Sequence, residues 1–145
     1  MIQPENLGEL TARPNVQVIK RLYDAFARRD VAEVMSLFDP EIEVSQSAEL
    51  TYGGTYKGIP SATEFFMKLT QTITSTPALE NFIDSGEHVV AIGRTTGVVN
   101  ANGNAFDMPI AHVWEVQNGK VVRVGFYVHN PVMIAALGTE FDGQR

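Results

Sequence analysis

One histidine stands out among the side chains of this sequence that can do acid–base chemistry. His112 lies within residues 106–116, which alternate between the two faces of a predicted strand. The other positions on its face are apolar or aromatic: Phe106, Met108, Ile110, Trp114 and Val116. A titratable ring in such a setting must find a hydrogen-bond partner or serve a purpose. His112 is therefore the candidate catalytic residue, able to act as acid, base or hydrogen-bond donor.

Two further polar side chains are predicted to approach the same part of the core. Tyr23 lies on the apolar face of a predicted helix, where its hydroxyl either points into a cavity or stays at the edge while the ring packs. Gln46 ends a predicted strand and carries both a donor and an acceptor, which suits it to orient a ligand carbonyl or hydroxyl. The alternatives are structural. Gln46 is a strand-end residue that faces water, and His112 is a core histidine satisfied by a neighbouring polar group or by Gln46 across the cavity.

Three apolar residues are candidates for the wall of a ligand cavity. Trp114, Phe126 and Val128 share the predicted inward face with His112, although plain core packing explains them equally well. Arg94 either binds an acidic ligand or pairs with a carboxylate at the rim, and the ion pair is the favoured interpretation.

The other two histidines have simpler interpretations. His88 begins a predicted strand and is expected to be exposed. His129 stands beside Asn130, the predicted N-cap of the last helix. The three histidines lack a close ligand spacing and the chain has no cysteine, so we expect no metal site. We expect no cofactor.

Composition narrows the class of protein. The 145 residues are 44% hydrophobic, which suits one domain with a sizeable core. Seventeen acidic against eleven scattered basic residues give a net charge of -6, so nucleic acid is not an expected partner. No apolar run reaches the ~20 residues that cross a bilayer, and the N-terminus lacks a signal-peptide pattern. We therefore expect a cytoplasmic protein without membrane contact.

The first half of the chain predicts helices around one strand. Residues 14–29 form an amphipathic helix, and Asp30 with Glu33 forms a capping-box-like pair that opens a second short helix, stopped by Asp39 and Pro40.

A first strand over residues 41–46 points Ile42, Val44 and Gln46 to one side. Residues 47–58 are predicted as a loop or weak hairpin. A third helix opens at a capping box formed by Ser61 and Glu64 and ends before Pro77.

The second half predicts neighbouring antiparallel strands. Residues 79–84 and 88–99 are strands, and Asn102 with Gly103 turns the second of them into the strand that carries His112. Asn118 with Gly119 forms another hairpin turn, because both central residues of such a turn need positive φ. On the return strand the predicted inward residues are Val122, Val124, Phe126 and Val128.

The ends of the chain complete the domain organisation. Asn130, Pro131 and Gly138 are predicted as N-cap, first residue and C-terminal stop of a final helix. We predict a flexible arm over residues 1–13, one domain over 14–138 and a tail over 139–145. Helices followed by strands indicate the α+β class, with a curved antiparallel sheet against helices.

Three stretches resemble the NTF2-like (cystatin-like) superfamily, in its SnoaL-like polyketide cyclase and ketosteroid isomerase-like branch. They are RLYDAFARRDVAEVMSLFDPEIEV, YKGIPSATEFFMKL and HVWEVQNGKVVRVGFYV. The resemblance covers roughly residues 14–137. It implies a cone-shaped sheet, mixed in strand direction, wrapped around the N-terminal helices, an apolar cavity, and dimers formed through the outer sheet face.

The family's catalytic residues transfer incompletely. The tyrosine of ketosteroid isomerases falls at Leu22, next to Tyr23. Their general base falls at Gln46, which cannot exchange a proton near neutral pH. Their second oxyanion donor falls at His112 if the hairpin turn differs by one residue, and a neutral histidine can donate one hydrogen bond there. The acid–base aspartate of SnoaL-like cyclases falls near Phe126.

The resemblance therefore implies a small-molecule-binding protein, with catalysis left open. The implied ligand is hydrophobic and ring-containing or polyketide-like. Catalysis, if present, is cofactor-free isomerisation, dehydration or cyclisation, and not the reaction of the ketosteroid isomerases. The alternative is a non-catalytic ligand-binding or dimerisation module.

Overall fold

The computed structural model describes residues 14–138. The predicted N-terminal arm and C-terminal tail lie outside the described residues. Helices and strands follow one another in this order: α1 Pro14–Ala27, α2 Val31–Ser36, β1 Phe38–Gln46, β2 Gly54–Lys57, α3 Gly58–Thr72, β3 Ile73–Ser85, β4 His88–Val99, β5 Ala105–Gln117, β6 Lys120–Val128 and α4 Asn130–Leu137.

The first two helices form for the reasons that the sequence indicates. α1 buries one stripe at helical spacing: Val16, Ile19, Leu22 and Ala25. Asp30 is the N-cap of α2, and its carboxylate accepts a hydrogen bond from the Glu33 amide at 3.1 Å, which confirms the predicted cap. The predicted end of α2 is wrong, because the helix stops at Ser36 and β1 already includes Asp39 and Pro40.

The six strands form one curved, mixed sheet in the order β2-β1-β6-β5-β4-β3. β1 runs parallel to β6, and every other neighbouring pair is antiparallel. Helices α1 and α3 contact the concave face and enclose the hydrophobic core with it. The predicted α+β architecture is confirmed, and 47–58 proves to be a hairpin in which β2 pairs with β1.

The hairpin between β5 and β6 has the predicted turn. Asn118 and Gly119 have φ of 53° and 77°, as this turn requires. The predicted return face is wrong at one position, because a bulge pairs Val116 with Val121 and leaves Val122 as the extra residue. Val121 is therefore the core residue, fully buried, and its amide donates to the Leu37 carbonyl at 2.8 Å.

Two element boundaries in the middle of the chain also differ from prediction. α3 begins at Gly58, whose φ of 85° suits glycine, and not at the Ser61 capping box. β3 is longer than the predicted 79–84 and contains Pro77. β3 is an edge strand, so a proline there need not donate a hydrogen bond to a second neighbour.

The last helix starts one residue early. His129 occupies the N-cap position of α4 without a side-chain cap, so the prediction of Asn130 as N-cap is wrong. The Asn130 amide instead donates to Ser47 Oγ and Glu49 Oε1, both at 2.9 Å, and ties α4 to the loop after β1. Gly138 ends α4 with φ of 78°, as predicted.

Candidate functional site

Three neighbouring strands bring Gln46, Phe126 and His112 into one row on the concave face. Gln46 of β1 lies opposite Phe126 of β6, which lies opposite His112 of β5. Gln46 is nine-tenths buried, so its predicted inward orientation is confirmed and the water-facing alternative is wrong. Its side-chain amide has no hydrogen-bond partner within residues 14–138.

A tyrosine from α1 completes the site. The Tyr23 hydroxyl oxygen lies 2.6 Å from His112 Nδ1, and Trp114 Nε1–H donates to the same oxygen at 3.0 Å. Leu22, where the family tyrosine falls, is fully buried in the core stripe of α1. The hydroxyl that meets His112 therefore comes from Tyr23, the next residue along α1.

Burial sets the charge of both titratable groups. Removal from water lowers the pKa of His112 to about 4, because the charged imidazolium is penalised. The same cause raises the pKa of Tyr23, partly offset by the hydrogen bond from Trp114. At neutral pH the site therefore holds an uncharged imidazole and a protonated phenol.

Aromatic rings surround this hydrogen-bonded pair. Phe126 meets the His112 ring edge to face, with centroids 4.7 Å apart, and Phe82 of β3 meets Tyr23 at 5.9 Å. Phe65 of α3 stacks on Phe126 at 5.7 Å with an interplanar angle of 4°. The rings therefore place the hydrogen-bonded pair in apolar surroundings.

The sequence missed two members of this enclosure and one contact. Phe65 and Phe82 carry no signal beyond core hydrophobicity. Tyr23 and Trp114 were predicted separately, without their shared hydrogen bond. Val128 is partly buried against the core, on the face predicted for it.

The remaining candidates lie away from this group. Arg94 Nε pairs with Asp107 Oδ1 at 2.9 Å on exposed side chains, which confirms the ion-pair interpretation. His88 is exposed, as predicted, and lies 3.8 Å from Glu115, while His129 is exposed beside α4. Within residues 14–138 no group of three potential ligands is placed to hold a metal ion.

Comparison with known proteins identifies the family of this protein. The SnoaL-like domain family matches residues 19–124, and the protein belongs to that family. Among curated proteins none matches the sequence. No helix of the described chain is long and apolar enough to cross a membrane, and the cytoplasmic location stays a prediction.

Solved structures confirm the NTF2-like fold. An NTF2-like protein of unknown function from Burkholderia pseudomallei is 26% identical with a TM-score of 0.81, over 86% of this chain and 97% of that one. An NTF2-like protein from Burkholderia thailandensis is 28% identical with a TM-score of 0.78, over 86% and 96%. TerC, co-crystallised with polyporic acid, is 22% identical with a TM-score of 0.79, over 86% and 98%, and shows the fold alone.

Proposed function

We propose that this protein binds a hydrophobic, ring-containing or polyketide-like small molecule on the concave face and promotes cofactor-free proton transfer on it. The observation that carries the proposal is the 2.6 Å contact between the Tyr23 hydroxyl and His112 Nδ1 inside an aromatic enclosure. Gln46 supports it, because this residue is only 9% exposed and its side-chain amide makes no hydrogen bond to another residue of the described chain. Trp114, Phe126 and Val128 form the apolar part of the proposed site.

The proposed chemistry is proton transfer next to a ligand carbonyl. Water takes a proton from the neighbouring carbon, the C–H electron pair becomes a carbon–carbon double bond, and the carbonyl π pair moves to the oxygen. The protonated water then gives a proton to another carbon of the enolate as the carbonyl re-forms. Negative charge on that oxygen in a low-dielectric site is stabilised by a preorganised hydrogen-bond donor. His112 supplies that role, and isomerisation, dehydration and ring closure all pass through such an enolate.

A relative supports the ligand class. TerC shares the fold over 86% of this chain, and its crystals contain polyporic acid. The support is for an organic small molecule as ligand, and the reaction must be tested on this chain itself.

Hydrogen–deuterium exchange of 2-tetralone tests the proposal without the natural substrate. In D₂O, enolisation replaces the α-protons of this ketone by deuterium, which NMR follows directly. We expect the wild-type protein to accelerate exchange above buffer, and His112→Phe to lower the acceleration about 100-fold, the usual cost of losing an oxyanion donor. His88→Gln, which changes an exposed histidine on the opposite face, is the control and keeps the acceleration. Exchange at the buffer rate in the wild type contradicts the catalytic proposal.

A binding module without catalysis is the second candidate. It is favoured by Gln46 standing where a carboxylate base stands in ketosteroid isomerases, and by Phe65 stacked on Phe126 between the two polar groups of the row. In this case 2-tetralone binds but exchanges at the buffer rate. The same experiment therefore separates the two functions.

We also propose a homodimer through the convex face of the sheet. Exposed apolar residues lie there on neighbouring strands: Ile83, Ile92, Val98 and Tyr127, at 41%, 37%, 40% and 60% exposure. On β5 the patch lies between Asp107, paired with Arg94, and Glu115, paired with Arg123. A twofold axis through the patch brings these charge pairs opposite each other, as a self-complementary interface requires.

Sedimentation equilibrium tests the dimer. We expect Ile92→Glu to give a monomer at concentrations where the wild type is dimeric, because it buries an unpaired charge in the interface. Met67→Glu is the control, since Met67 is also an exposed apolar residue, at 55% against 37% for Ile92, but lies on α3. A monomeric wild type throughout the micromolar range overturns the proposal.

A further inference from the structure

The direction of the hydrogen bond between Tyr23 and His112 follows from the other partners of the Tyr23 hydroxyl. Trp114 Nε1 can only donate, so the Tyr23 oxygen is the acceptor of that bond. The Tyr23 hydroxyl carries one hydrogen, and within residues 14–138 His112 Nδ1, 2.6 Å away, is the one acceptor at this hydroxyl. A buried hydroxyl hydrogen without an acceptor is unfavourable. The Tyr23 hydroxyl therefore donates its hydrogen to Nδ1.

This direction fixes the proton of the imidazole. A neutral imidazole carries one hydrogen, and a nitrogen that accepts a hydrogen bond cannot carry it. The opposite tautomer would leave the Tyr23 hydrogen facing an N–H group and without an acceptor at this place. Nε2 is therefore the protonated nitrogen, and within residues 14–138 it has no hydrogen-bond partner.

We infer that Tyr23 and Trp114 are positioning residues that hold His112 as a hydrogen-bond donor through Nε2–H, and that the ligand must present an acceptor oxygen, such as a carbonyl or an enolate, to this nitrogen. The inference deepens the proposed function and rests on it for the ligand. It excludes His112 Nε2 as the base that removes a proton from the ligand.

Gln46 extends the same ligand description. Two strand spacings separate Gln46 from His112 across Phe126, which places their backbones about 10 Å apart. A ligand that meets both side chains is a planar ring system with an acceptor oxygen at one end and a second polar oxygen towards Gln46. Phe126, with Phe65 stacked on it at 5.7 Å, lies between the two polar side chains, so such a ligand would lie against these rings.

Nitrogen-15 NMR of the imidazole in the unliganded protein tests the tautomer. At pH 7 we expect the His112 Nδ1 resonance in the range of an unprotonated nitrogen and Nε2 in that of a protonated one. In Tyr23→Phe the constraint is gone, and we expect averaging towards a mixture of the two tautomers. A protonated Nδ1 in the wild type, or an unchanged tautomer in Tyr23→Phe, overturns the inference.

A matched pair of probes tests the ligand class. 2-Tetralone and tetralin share the ring system, but only the first carries an acceptor oxygen. We expect the wild type to bind 2-tetralone about tenfold more tightly, as one buried hydrogen bond allows. His112→Phe loses this preference, and His112→Gln, whose amide can donate near the Nε2 position, retains it. Equal affinity for both probes contradicts the inference. Binding of neither probe contradicts the proposed function, and in that case the imidazole tautomer still tests the role of Tyr23.

Discussion

Each face of β5 carries a titratable side chain, and the two side chains differ in burial and charge. On the concave face, His112 is uncharged, partly buried and hydrogen bonded to a neutral tyrosine. On the convex face, Glu115 lies within 3.1 Å of Arg123 and 3.8 Å of His88. Water screens the second group, and burial removes the charge from the first.

This difference concerns energy as well as charge. Exposed ion pairs contribute little each, because solvent and salt screen them and ordering long side chains costs entropy. Buried hydrogen bonds are modest when made but costly when one partner is removed. Substitutions on the two faces of the same strand should therefore differ in effect. All the following measurements are made at a protein concentration below that at which the proposed dimer forms, since dimerisation through the convex face would bury it and change apparent stability.

The largest expected effect is at Trp114, the single tryptophan of the chain. Trp114→Ala removes a fully buried ring, and we expect it to lower the free energy of unfolding by about 3–5 kcal/mol. Val113→Ala, one residue away on the convex face, should cost below about 1 kcal/mol. Urea unfolding followed by circular dichroism measures both. Similar costs at the two positions would show that the faces do not differ in packing.

The second effect is the dependence of stability on pH. The pKa of His112 is lowered from 6.5 to about 4. Below pH 6.5 the unfolded chain therefore binds a proton that the folded chain refuses until about pH 4. The free energy of unfolding should fall by about 3 kcal/mol as the pH falls through this window. Above pH 6.5, where His112 is neutral in both the folded and the unfolded chain, none of this stability is lost.

Two variants assign this pH dependence to one face. His112→Gln does not titrate, so its urea midpoint should lose this part of the slope between pH 6.5 and 4. His88→Gln should keep this part of the slope, because the variant leaves His112 in place and changes only a side chain on the convex face. A slope that survives in His112→Gln assigns the titration to other groups.

Local alternation was enough to predict which residues face the core on β5. His112, Trp114 and Val116 were placed correctly because the side-chain period of a strand and the Asn118–Gly119 turn are both read within a few residues. The bulge was not predictable, since Val121 and Val122 are the same residue type and either can take the core position. The residue that takes it, Val121, also pairs with Phe38 of β1, which is remote in sequence.

The features of the site that the sequence did not predict depend on contacts between distant elements. The bond between Tyr23 and His112 joins positions 89 residues apart, and it depends on how α1 sits on the sheet. The start of α3 was missed for a different reason. Ser61 and Glu64 match a capping box, but Gly58 adopts positive φ and allows the helix to begin a turn earlier.

Tyr23→Phe should have an intermediate effect. The substitution keeps the ring but leaves Trp114 Nε1–H and His112 Nδ1 without their partner. An unpaired buried polar group costs about 1–3 kcal/mol, and we expect a loss of free energy of unfolding in that range from urea unfolding. Tyr56→Phe is the matched control, since the Tyr56 hydroxyl donates only to loop carbonyls at 3.1 and 3.3 Å. Equal losses in both variants would remove the special status of the concave-face hydroxyl.

The smallest expected effect is at Arg123 on the convex face. Arg123→Ala removes ion pairs to Glu115 and Glu43 at 3.1 and 3.8 Å. The arginine side chain is 60% exposed, and Glu115 keeps a hydrogen bond from Gln117 at 2.9 Å. We therefore expect a loss below about 1 kcal/mol, reduced further in high salt. A loss as large as that of Tyr23→Phe, insensitive to salt, would show that the convex face is buried in solution, and the contrast between the two faces would then hold only for the isolated chain.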